Sequence, residues 1–125
     1  MRRIAKKKIP LSKLKKLRAE AVFKRDDYKC VRCGTTVGLS PSHVYPTGRY
    51  PRMAWMMTNI LTLCWMKCHL NWWHKNPIEA HDWFKETFPD RYIELKEISK
   101  DTNLPKVEAE KVKVYLEEFI KELNI

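Results

Sequence analysis

The chain has 125 residues, with 25 Lys or Arg against 15 Asp or Glu, a net charge of +10 and a pI near 9.6. That length supports one domain with a modest core, to which a metal clamp would add materially, and the basicity points to a polyanionic partner, either nucleic acid or an anionic surface. No stretch approaches the roughly 18 consecutive apolar residues of a membrane span, and the basic start does not lead into the apolar run of a secretory signal, so a cytoplasmic protein is expected.

The first ten residues carry Arg2, Arg3, Lys6, Lys7 and Lys8 before Pro10, and read as a flexible basic arm. From Ser12, taken as an N-cap, Leu14, Leu17 and Ala21 recur at helical spacing, with Lys13, Lys15, Lys16, Arg18 and Lys24 largely elsewhere on the helix surface. Residues 1–33 hold 13 Lys or Arg against three acids, and the remainder is balanced at 12 against 12. The excess charge therefore sits in the first quarter. A charge run of this kind is a solvated helix face or a track for phosphates, and its single sign favours phosphate contact without sequence choice. A knuckle follows at Cys30-x2-Cys33, where Gly34 permits the tight turn that aims backbone amides at sulfur. Ser42 to Tyr45 reads as a short extended segment, residues 46–52 as a Pro- and Gly-containing loop, and Ile60 to Leu63 as a second apolar segment running into Cys64. Cys68 to His74 suits a helix that ends near Lys75. Asn76-Pro77-Ile78-Glu79 then starts another helix, with Ala80, Phe84 and Phe88 as its stripe. Pro89 opens a further helix through Ser99, carrying Tyr92, Leu95 and Ile98, and Val112, Tyr115, Leu116, Phe119 and Leu123 mark a last amphipathic helix. The class is α+β, helical in its C-terminal half.

Four cysteines, Cys30, Cys33, Cys64 and Cys68, fall in two closely spaced pairs 30 residues apart. In a reducing compartment such pairs point to a tetrahedral structural Zn²⁺; a disulfide reading survives only for an exported chain. Between the pairs lie His43 and Asn59, and His69 follows the last thiol, with His74 five residues on. Taken singly, His43 could be a surface residue and Asn59 an ordinary turn residue. His69 could replace a thiol in a Cys3His site. His74, slightly over one helical turn from His69, could ligate an ion, touch phosphate or pack against Trp72 and Trp73. His81 reads as a surface residue.

In combination, Ser42-His43, Trp55, Asn59, Leu63-Cys64-x3-Cys68-His69 and His74-Lys75-Asn76-Pro77 resemble the HNH endonucleases with their ββα-metal centre, especially phage recombination nucleases of the NinG type. The basic helix leading into the first knuckle is similar to that group as well, and the likeness spans about residues 11 to 90. It implies an HNH nuclease domain at 11–90 with its zinc knuckles; the basic arm at 1–10 and a helical extension at 91–125, expected to pack on the same domain, lie outside the likeness. It further implies His43 as general base, Asn59 as the residue that orients it, and His69 with His74 as ligands of a catalytic Mg²⁺ or Mn²⁺ that stabilises the leaving oxygen. Two departures stand out. Many HNH centres carry Asp or His immediately before the base, where this chain has Ser42, a poor ligand for Mg²⁺; and Cys64-x3-Cys68 has one residue more than the usual pair.

The reading is a metal-dependent DNA endonuclease of a phage, acting in recombination on branched DNA or in packaging beside terminase, as a monomer or a homodimer. Arg2, Arg3, Lys6, Lys7, Lys8, Lys13, Lys15, Lys16 and Arg18 would track the backbone, and Arg49 and Arg52 would clamp phosphate near the cleaved bond. The alternative is a non-catalytic zinc-stapled DNA-binding module or adaptor. Trp55, Trp65, Trp72, Trp73 and Trp83 cluster around the same region and read mainly as core, with base stacking as the second option.

Overall fold

An antiparallel pair of short strands, one of them wholly buried, forms the centre of the protein. In the computed structural model, which describes residues 8–124, β1 (Leu39–His43) pairs with β2 (Ile60–Cys64) in the register Leu39 to Cys64 through His43 to Ile60. All five β2 residues are buried, so the strand shows no alternation of inner and outer faces, and its one polar side chain, Thr62, donates to Val22 O at 3.3 Å. The extended segment thus starts at Leu39, three residues before the expected Ser42, because pairing with β2 recruits the chain from Leu39 onward. Arg2, Arg3, Lys6 and Lys7 of the basic arm lie outside the described residues.

Helix α1 (Leu11–Arg25) precedes the hairpin. Its cap position is Pro10 rather than Ser12, with no side-chain cap; proline's fixed φ and missing N–H suit a helix entrance. The exit is a turn in which Asp27 and Tyr28 both have positive φ and the Tyr28 amide donates to Phe23 O at 2.8 Å, which re-aims the chain into the Cys30 knuckle. Asp26 ties this turn to β2, its carboxylate accepting from the Thr62 amide at 3.1 Å and pairing with Arg25 at 2.9 Å.

After β2 the chain enters a nine-residue π-helix (Trp65–Trp73), then α2 (Pro77–Thr87), α3 (Pro89–Ser99) and α4 (Ala109–Leu123). The helix after β2 therefore starts three residues earlier than expected and is wound i→i+5 instead of i→i+4, as in the His74 amide donating to His69 O at 3.1 Å. Asn76 occupies the α2 cap position, but its side chain donates back to Asn71 O and leaves the capping to backbone. The α3 start at Pro89 and end at Ser99 agree with the sequence pattern.

The core has two parts. Leu61, Leu63, Phe84 and Leu95 join Cys30, Cys64 and Cys68 on one side, while Leu14, Ala21, Val22, Ile60, Val112 and Leu116 form a second cluster that packs α4 on α1 and β2. Arg91 on α3 crosses to Thr58 O at 2.8 Å and Ile60 O at 3.1 Å, capping carbonyls at the entrance to β2; burial and the neighbouring Arg25 charge push its pKa down to about 10. Among the described residues no helix is long and apolar enough to cross a membrane. Because Leu116 is fully buried, Leu116→Ala should cost about 2–5 kcal/mol, read as a fall in urea midpoint at constant slope.

Candidate metal centre and histidine face

The four cysteines converge: their sulfurs lie within 4.8 Å of one another. Cys30 and Cys33 come from the knuckle after α1, Cys64 ends β2, and Cys68 lies one turn into the π-helix. Hydrogen bonds dock the two halves, Val31 N to Thr62 O at 2.9 Å and Trp65 N to Gly38 O at 2.7 Å, and Gly34, at φ +80°, makes the knuckle turn that an L side chain would strain. All four thiols are free, and Cys33 and Cys64 stand 3.7 Å apart. That separation is far beyond the ~2 Å of a disulfide and close to the ~3.8 Å edge of a tetrahedron with Zn–S bonds of about 2.3 Å.

The chemistry of the donors fits a cation as well. Burial raises the Cys30 thiol, but amide hydrogen bonds from Cys33, Cys64 and Arg32 outweigh it and bring it down to about 7. Burial pushes Cys68 up to about 12, against the pull of Arg32. Four thiols this close cannot all ionise without a positive charge among them, and a bound Zn²⁺ or similar ion is the group that would permit it. Arg32 adds a second cation, its Nη1 donating to Cys68 Sγ at 3.5 Å while its guanidinium lies 3.8 Å over the Trp72 ring. The sequence offered no signal for this contact, since Arg32 reads only as one more basic residue of the knuckle.

The three residues between Cys64 and Cys68 lead from the end of β2 into the π-helix, whose i→i+5 winding leaves Cys68 beside the other three sulfurs. The same winding puts His69 and His74 on one face, their rings stacked at 4.7 Å. At α-helical pitch these residues, five apart, would be splayed by about 140°.

His69 is buried and its Nδ1 meets Ser40 Oγ of β1 at 2.7 Å, which leaves Nε2 for another partner. Burial, with the positive charge that His74 and His43 would carry, holds its pKa down to about 4, so the imidazole is neutral at pH 7. His43 closes β1. Its Nε2 lies 2.8 Å from Ala54 O, a pure acceptor, which requires the proton on Nε2 and leaves Nδ1 with a free lone pair. Burial first, and the Arg18 charge second, hold His43 below the ordinary imidazole value despite the opposing bond to Ala54. Asn59 is fully buried and ties three points of the loop between the strands: its Oδ1 accepts from Tyr45 N at 2.8 Å, and its Nδ2 donates to Met53 O at 3.0 Å and Tyr45 O at 3.2 Å. The loop carrying Ala54, and with it the His43 ring, is thereby fixed.

His69 and His74 are thus brought together, with His43 close enough to affect His69 electrostatically. Among the described residues, however, the only group of three or more Cys, His, Asp or Glu arranged to hold a metal is the four-cysteine cluster. Ser42 Oγ is buried and has no hydrogen-bond partner. His81, read as a surface residue, is exposed but lines a cavity with His43 and His74.

The basic residues divide. Lys8, Lys13, Lys15 and Lys16 are exposed. Arg18 departs from the phosphate-contact reading: its Nη1 donates to Ala54 O at 3.1 Å and its guanidinium covers Trp55 at 4.3 Å, because α1 packs that face against the loop. Arg52 donates to Leu104 O, and the Arg49 guanidinium sits 5.6 Å from the Tyr50 ring. Of the tryptophans, Trp72 is buried, Trp55, Trp73 and Trp83 are half-buried and Trp65 is 48% exposed. Comparison with family models, with curated proteins and with solved structures found no match.

The metal centre gives a stoichiometric expectation. Protein purified with Zn²⁺ should carry one ion per chain, and Cys68→Ser should lose it and unfold at a lower temperature, as seen by metal analysis and thermal melting. The histidines give a pH dependence. Both His43 and His69 have depressed folded pKa values, so the unfolded chain takes up protons first as pH falls. Stability present above about pH 6.5 should therefore be lost on acidification toward 5. Urea midpoints in zinc-loaded protein should decline across that range, and His69→Gln should flatten the slope.

Proposed function

We propose that the protein is a metal-dependent DNA endonuclease of the HNH type, with a structural zinc in its four-cysteine centre. The observation that carries the reading is a neutral, loop-anchored His43 at the end of β1, on the same side as the His69–His74 pair of the helix that follows β2. A buried asparagine bracing the loop between them, and a thiol cluster pinning strand to helix, suit a centre that must hold its groups rigidly.

In the proposed reaction His43 acts as general base. Its Nδ1 lone pair takes a proton from water, the resulting hydroxide attacks phosphorus, and the P–O3′ bond breaks with its electron pair leaving on the 3′-oxygen. The depressed pKa keeps the imidazole unprotonated at neutral pH, and Asn59 fixes the carbonyl that fixes the ring. His69 through Nε2, and His74, would hold the catalytic ion, which supplies Lewis-acid stabilisation of the leaving oxygen. A donor set of imidazoles without a carboxylate suits Mn²⁺ better than Mg²⁺, whose preference is for oxygen ligands. Lys13, Lys15 and Lys16 on α1 are free for phosphates, and the arm residues Arg2, Arg3, Lys6 and Lys7 complete that basic tract. Recombination intermediates and packaged phage DNA are the substrates this reading brings with it, with terminase or recombination proteins as partners.

One observation favours the second reading, a zinc-stapled DNA-binding module without catalysis: no third ligand joins His69 and His74 among the described residues. Cleavage assays on labelled duplex, single-stranded, flap and four-way-junction DNA separate the two. The nuclease should cut with Mn²⁺ faster than with Mg²⁺, and a folded, zinc-loaded His43→Ala should lose about 10²–10⁴-fold in rate. Tight binding with no cutting in any divalent metal would leave the binding module.

A further inference from the structure

All four histidines of the chain gather on one side, and three of them, His43, His74 and His81, line a single cavity of about 420 Å³. Its other walls include the rings of Tyr45, Trp73 and Tyr92. The volume lies within the roughly 300–1,000 Å³ of small-ligand sites, and a mainly apolar aromatic lining with a few polar ring nitrogens is the usual make-up of such sites. Trp73 is held in place from behind, its Nε1 donating to His43 O at 3.1 Å and its ring edge-on to Phe84 at 6.5 Å. Tyr92 is set by His81, the two rings meeting edge-on at 5.3 Å.

Cations stand near the cavity's aromatic walls. Lys85 and Lys96 bring their ammonium groups to 5.3 and 5.9 Å from the Tyr92 ring, and Arg49 lies over Tyr50, which abuts Tyr45 edge-on at 5.1 Å. The Asp82 carboxylate stands beside His81 at 3.8 Å. Aromatic walls, imidazole nitrogens and neighbouring cations together match a flat, hydrogen-bonding heterocycle attached to a phosphodiester chain.

We infer that this cavity is a nucleobase pocket, which receives one unpaired base of a DNA strand next to the histidine face. The inference rests on the proposed DNA-cleaving role and narrows its substrate class to DNA with unpaired nucleotides, such as bulges, flaps and junctions. A base stacked in duplex cannot enter an enclosing pocket without being turned out, and the cost of doing so is least where the base is already unpaired. Selection for structure rather than sequence follows, because every base presents a π-face to Tyr92 and Trp73.

The test measures binding by fluorescence anisotropy in Zn²⁺-replete buffer without Mg²⁺ or Mn²⁺. The ligands are a duplex with one unpaired thymine and the same duplex with an abasic residue at the bulge. The thymine bulge should bind roughly 5- to 100-fold more tightly than the abasic one, the range expected for one stacked base. Tyr92→Ala and His81→Ala, each checked for fold by circular dichroism, should shrink that ratio toward one. The comparison of the two duplexes on the unaltered protein needs no variant to fold. Equal binding of thymine and abasic bulges would overturn the pocket, even if the protein cuts DNA. A retained preference for the base in a protein that cuts nothing would support the pocket and overturn the nuclease.

Discussion

The rest of the architecture depends on four sulfurs being held within bonding reach of one cation. Two come from a loop after α1 and two from the junction of β2 with the helix that follows it, so a single ion in that cluster would cross-link segments more than 30 residues apart. In a domain of this size such a link removes much of the chain entropy that a small apolar core would otherwise have to offset. It also fixes the angle at which the π-helix leaves β2, and that angle decides where His69 and His74 stand relative to His43. The unequal thiols, one brought near 7 by amides and one raised by burial, express the same constraint electrostatically.

Around that cluster the chain uses arginines as internal struts. Arg18 and His43 share Ala54 O, Arg25 and Arg91 share Ile60 O, and Arg32 lies between Cys68 and Trp72. A guanidinium can satisfy several carbonyls or a thiolate while its plane packs on an aromatic ring, which lysine's point charge cannot do. Part of the N-terminal positive charge is therefore structural. Lys13, Lys15 and Lys16 of α1 remain exposed, and they are the charge available to a polyanion.

The π-helix links metal centre to histidine face. At α-helical pitch either the Cys68 thiol or the histidine pair would be rotated out of position. Wide winding satisfies both, with Cys68 turned toward the sulfurs and His69 stacked on His74. Such helices are rare, because their hydrogen bonds and packing are poorer, and their persistence usually marks a site where geometry is worth the strain. Stacked imidazoles, a serine-held Nδ1 and an adjoining aromatic cavity are the local outcome.

The sequence by itself determined the elements whose signals are local. The stripe of Leu14, Leu17 and Ala21, the Pro77 and Pro89 starts and the paired thiols each follow from periodicity, fixed φ or ligand spacing, and each is found where those signals put it. Asn59 could be singled out as a residue between the cysteine pairs, though its three hydrogen bonds could not. Tertiary structure alone decided the rest. Strand pairing moved β1 back to Leu39, helix packing turned Arg18 inward, and an i→i+5 winding that no propensity scale registers stacked His69 on His74. It also brought His81, unremarkable in sequence, to a shared cavity with His43. These outcomes depend on partners distant in the chain, and burial and hydrogen bonding to distant partners leave no periodic trace in the residues themselves.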